Sequence, residues 1–175
     1  MLERVTTEFV AAEDRLRLAG VSAEGRVVLW LTRRLLERLL PALFAWLEGT
    51  GPAADGAAGA MGAAPALWEF QQQWAQSAAL AALQAGPPVP ADAADAVGLV
   101  TTVSVASSAA ALSLTFMDEA QGLEAVLPMS AANLRQWLQV VWRQYVRAEW
   151  PLELWPAWLR EEPGGSAGTR PAYLH

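Results

Sequence analysis

Cysteine and lysine are absent from this chain, and histidine occurs once, at the final position, His175. Without cysteine there are no disulfides, no thiolate nucleophile and no thiolate metal site, a composition that suits a reducing compartment and leads us to expect a cytoplasmic protein. Without lysine there is neither Schiff-base chemistry nor a phosphate loop that depends on an ammonium group. His175 ends a stretch, residues 161–175, whose Pro, Gly and Ser content reads as a disordered tail. A histidine base is therefore excluded, and Ser104, Ser107 and Ser108 lack the partner that would make any of them a nucleophile. A metal would have to rely on carboxylates alone, and none are spaced as in a calcium loop. The paired acids Glu13-Asp14 and Asp118-Glu119 fall where hairpins reverse and read as turn residues rather than as a catalytic pair. Together these shortages predict a non-enzymatic protein with no cofactor and no metal.

Positive charge is also scarce. Twelve arginines face 18 acidic residues, for a net charge of −6 and a pI near 4.8, which opposes a phosphate backbone, so no nucleic acid is expected as a partner. Uninterrupted apolar runs of the roughly 20 residues a bilayer span needs are missing too, because Arg33, Arg34, Glu37 and Arg38 break the best candidate. The start, Met1-Leu2-Glu3-Arg4, leads straight into a strand pattern rather than an apolar signal segment, so export is not expected.

What the chain has is apolar material: 54% of 175 residues are hydrophobic and only 17% are charged, enough for one core with a surplus for a partner surface. Period-two alternation marks strands at Val5-Thr6-Thr7-Glu8-Phe9 and Arg15-Leu16-Arg17-Leu18, with a reversal over 19–25 and a third, wholly apolar strand over 26–31. From Thr32, a predicted N-cap, the period becomes helical through Leu35, Leu36, Leu39, Leu40, Leu43 and Leu47. Pro41 lies inside that pattern and predicts a kink or a break near residue 40. Residues 49–65 read as a flexible Gly/Ala loop. Leu67, Phe70, Trp74, Ala78 and Ala81 then define a central helix over about 66–84.

The second half repeats the order of the first. Val100-Thr101-Thr102 and Val105-Ala106 stand 95 positions after Val5-Thr6-Thr7 and Val10-Ala11. Leu112, Leu114 and Phe116 alternate with polar residues, Asp118–Gly122 is a turn, and Leu123–Leu127 is a strand. Ser130 caps a helix striped by Leu134, Trp137, Leu138, Val141 and Tyr145, with Arg135, Gln136, Arg143 and Gln144 mostly off the stripe. The predicted fold is α+β: one domain over 1–160, two βββα repeats at 1–48 and 97–149, and a largely antiparallel continuous sheet packed by helices. The alternative is a small β-sandwich or barrel head with a helical insertion between strands three and four and a C-terminal helix. Over residues 1–149 that element order resembles the head domains of dimeric scaffold proteins of DNA end joining and centriole assembly, a resemblance of order alone that implies a self-associating scaffold.

Nine tryptophans carry the remaining information. Trp30, Trp46, Trp74 and Trp137 sit on apolar stripes and read as core. Trp150, Leu154, Trp155 and Trp158 lie after the last long helix in a segment that two prolines keep irregular, to be buried either within the chain or at an interface. Arg33, Arg34 and Arg38 form a basic cluster on the first helix. The functional expectation is an interaction or scaffold protein, homodimeric, acting through the Trp-rich segment. The second reading is a module binding an apolar small molecule in a Trp-lined cavity.

Overall fold

A computed structural model describes residues 1–50, 65–84, 86–92 and 94–160. The predicted loop, apart from its ends, and the predicted tail lie outside the described residues. The chain is α+β, in the order β1 (Leu2–Val10), β2 (Arg15–Ser22), β3 (Gly25–Leu31), α1 (Arg33–Gly49), α2 (Pro65–Ala81), β4 (Ala96–Leu99), β5 (Thr102–Ser107), β6 (Ala111–Asp118), β7 (Leu123–Ser130), α3 (Ala131–Arg147) and α4 (Ala157–Arg160). The order of three strands and a helix occurs twice, as the sequence pattern anticipates.

Alternation fixes the strands. Leu16 and Leu18 on β2, and Leu112, Leu114 and Phe116 on β6, are fully or almost fully buried while Arg15, Arg17, Ser113 and Thr115 between them are partly exposed on the other face. The β2–β3 hairpin is tighter than the sequence suggests. Ladder pairing continues to Ser22↔Gly25, and Gly25 closes the turn at φ +132°, a conformation that L side chains rarely adopt. Both helix starts are capped as expected: the Thr32 hydroxyl accepts from the Leu35 N–H and the Ser130 hydroxyl from the Asn133 N–H, each at 3.2 Å.

The predicted continuous sheet is instead two sheets, β1-β2-β3-β4 and β5-β6-β7. The division arises at β4, a short strand without a counterpart in the first half, which pairs parallel with β3 from Val27↔Ala96 to Trp30↔Leu99. The ladder continues to Val100, whose N–H donates to the Trp30 carbonyl, but the Thr101 N–H donates to the Met117 carbonyl of β6, so one extended run changes sheets between adjacent residues. Buried Asp118 pins the crossing by accepting from the Leu99 N–H at 2.9 Å. Gly98 permits it, since a Cβ there would lie 2.7 Å from Leu123 Cδ2.

One hydrophobic cluster unites the inner residues of both sheets with α1 and α3, including Leu36, Leu40, Leu43, Leu138, Val141 and Tyr145. α1 runs unbroken through Pro41. The break predicted near residue 40 does not occur, because Pro41 is on the exposed side of the helix, where the carbonyl it leaves unpaired can be hydrated.

Candidate interaction surface

α3 ends in a Schellman turn. Glu149 adopts φ 54°, the Glu149 N–H donates to the Val146 carbonyl, and the Trp150 N–H donates back to the Tyr145 carbonyl. The turn throws the aromatic segment back over the body, where Trp150, Trp155 and Trp158 are 5%, 1% and 2% exposed. Trp150 meets the rings of Phe9 and Tyr145 edge-on at 5.5 and 5.0 Å, and its indole N–H donates to Asp14 Oδ1 at 3.0 Å. Trp155 lies 5.4 Å from Phe44 and 5.2 Å from Tyr145. Leu154 packs half-buried beside them. The segment thus docks within its own chain, one of the two placements that the sequence leaves open, and its indoles complete the core.

Arg33, Arg34 and Arg38 are exposed on α1. Arg33 pairs with Glu37 at 3.3 Å, while Arg34 and Arg38 have no ion-pair partner among the described residues. Of the tryptophans read as core, Trp137 is buried, Trp30 and Trp46 are half-buried and Trp74 is exposed.

Trp74 leads to the surface that sequence reasoning missed. α2 faces the body with a mixed side, on which Ala79 is buried and Trp68 packs half-buried against the core beside two glutamines. Gln72 and Gln76 are 1% and 2% exposed, whereas Leu67, Phe70 and Trp74 on the opposite side are 51%, 62% and 65% exposed. At about 3.6 residues per turn these three, with Ser77, Ala78 and Ala81, form one outward stripe. The cause lies on α3, where Arg135, placed off the apolar stripe by the sequence pattern, is 4% exposed. A buried guanidinium without acceptors is strongly destabilising, and α2 supplies them: Arg135 donates to the carbonyl and the side-chain oxygen of Gln72. Gln76 donates to Gln139 Oε1 at 3.2 Å, and Gln136 to the Ala79 carbonyl at 2.7 Å. The indole ring of Trp158 covers Arg135 at 4.9 Å. Burial pulls the Arg135 guanidinium down to about 10, against the opposing influence of Glu48. Turning α2 over would bury Phe70 and Trp74 but strand that charge, so the polar seam wins and the apolar stripe is left outside.

The acidic pairs occupy turns. Asp118 Oδ1 accepts from the N–H groups of Ala120 and Gln121, and Glu13 lies 3.7 Å from Arg15. Among the described residues no cluster of acids and histidine could hold a metal ion, and no helix is long and apolar enough to cross a membrane. Comparison with protein-family models, with curated proteins and with solved structures finds no match.

Proposed function

We propose that this chain is a non-enzymatic interaction protein of a reducing compartment that self-associates through the outward stripe of α2. The single observation that carries this reading is the orientation of α2, a helix that leaves Phe70 and Trp74 more than half exposed while Gln72 and Gln76 are buried. Exposed apolar patches on one element mark contact sites. The stripe is also self-complementary. It is bulky at one end (Leu67, Phe70, Trp74) and small at the other (Ser77, Ala78, Ala81), so an antiparallel two-fold pairing sets large residues of one copy against small residues of the other. Glu69 is the only charge between Pro65 and Ala81, so such a pairing brings no row of like charges together. One helix face buries less than the roughly 800 Å² per partner of a standard interface, which favours micromolar over nanomolar affinity.

Tryptophan emission tests the reading. On dilution through the micromolar range the emission of wild-type protein should shift to the red as Trp74 becomes hydrated, and Trp74→Phe should abolish the shift. Emission independent of concentration in both proteins contradicts it. The second reading, an apolar ligand in a Trp-lined cavity, has less support, since Trp150, Trp155 and Trp158 fill the core rather than line a void. It predicts instead an emission change at fixed protein concentration on adding an apolar dye.

A further inference from the structure

β5 is the edge of its sheet, and its register fixes which of its backbone groups are free. The Ser108 N–H donates to the Ala111 carbonyl, and the ladder pairs Ala106↔Ser113, Ser104↔Thr115 and Thr102↔Met117, so the hydrogen-bonded pairs fall on the even-numbered residues. The N–H and C=O groups of Val103 and Val105 therefore point away from β6, on a side where no strand is paired among the described residues. Natural edges are usually defended by charge, proline or a bulge. Thr-Val-Ser-Val-Ala-Ser has no charge and no proline, and it pairs without a shift of register.

Across from this edge α1 presents Leu35, Arg38, Leu39 and Ala42, which with Val103 and Val105 border a groove of about 320 Å³. Beyond it the two elements are tied together by the Trp46 indole N–H, which donates to the Ser108 carbonyl at 3.0 Å. The groove is lined by these apolar side chains together with Thr101 and Thr102, it has an open backbone edge, and Arg38 on its wall has no ion-pair partner among the described residues, with Arg34 exposed one turn earlier on the same helix.

From this arrangement we infer that the β5–α1 groove docks an extended segment of another protein, which adds as a strand to β5 and carries an acidic side chain toward Arg38. Strand addition supplies affinity through main-chain hydrogen bonds, while pockets for alternate side chains supply choice. The valines and leucines take apolar residues at every second position, and Arg38 selects the acid. A second copy of β5 fits less well, because Thr102–Ser107 offers no carboxylate to Arg38. The groove is independent of the α2 stripe, so either surface can fail without the other.

The test uses the full-length chain and a fluorescein-labelled peptide, Asp-Glu-Val-Thr-Val-Thr-Val-Ser, read by anisotropy. Wild-type protein should bind it, Arg38→Glu should weaken binding by roughly tenfold at low salt, and Val105→Pro should abolish it. Proline at residue 105 removes an outward N–H without touching the ladder to β6, and edge strands accept it there. Should that variant not fold, methylating the valine amides of the peptide removes the same bonds from the other side. No binding to wild type, or equal binding to both variants, overturns the inference. It is overturned as well if Val105→Pro halves the mass of the wild-type assembly, which would make a second copy the occupant. Binding only after removal of residues 161–175 would make the chain's own C terminus the occupant, with the same consequence.

Discussion

Tyr145 is fully buried at the junction of α3 and the aromatic segment, and its hydroxyl has no hydrogen-bond partner among the described residues. Burial, reinforced by Glu37 and opposed by Arg33, raises its pKa well above the usual tyrosine range. Above pH about 10 the unfolded chain loses a proton that the folded chain keeps, so this group makes stability fall as pH rises. Arg135 acts in the opposite sense. Its folded pKa of about 10 lies below the ordinary guanidinium range, so above pH about 10 the unfolded chain holds a proton that the folded chain has lost, and stability rises with pH there. Tyr145→Phe separates the two. Urea midpoints measured from neutral to alkaline pH should be nearly equal for wild type and variant at neutrality and diverge in favour of the variant above pH about 10; a constant difference would show the hydroxyl to be hydrated. Trp155→Ala, in contrast, should cost about 3 to 5 kcal/mol at neutral pH, independent of protein concentration, because it empties a site closed by Phe44 and Tyr145. The need to bury Trp155 was legible in the sequence; its destination was not, since the Schellman turn depends on Glu149 adopting a positive φ that glycine usually provides.

At the scale of elements, strands with one buried face and helices with capped starts were readable, because alternation and N-cap chemistry are local. α2 was located correctly as an element and oriented wrongly. Its sequence holds two opposed stripes, Leu67-Phe70-Trp74 and Gln72-Gln76, and hydrophobicity alone turns the first inward. Only the buried guanidinium of Arg135, more than fifty positions away, reverses that choice, and no local pattern signals it. β4 escaped notice because four residues ending at a sheet crossing carry too little alternation to read. The aromatic segment after α3 should behave as a structural element despite its irregular backbone. Truncation after Glu149 removes Trp150, Trp155, Trp158 and Leu159 from the core and should lower the melting temperature sharply at every protein concentration. Truncation after Glu162 should leave it unchanged. A loss on the first truncation that tracks concentration would place these indoles between subunits instead.

For the molecule as a whole, composition counts against the common catalytic and metal chemistries, and the acidic pairs Glu13-Asp14 and Asp118-Glu119 lie at turns. Among the described residues, the outward stripe of α2 and the open edge of β5 are surfaces that the closed core leaves over. The first bears most directly on what the chain does, and light scattering coupled to size exclusion tests it. At tens of micromolar the wild-type chain should give about twice its 18.8 kDa, falling toward a single chain on dilution, while Phe70→Glu with Trp74→Glu should be monomeric throughout and melt as the dilute, monomeric wild type does, since neither side chain is part of the core. A wild-type chain that stays monomeric over the same range, or a double variant that keeps the dimer mass, would contradict self-association through α2.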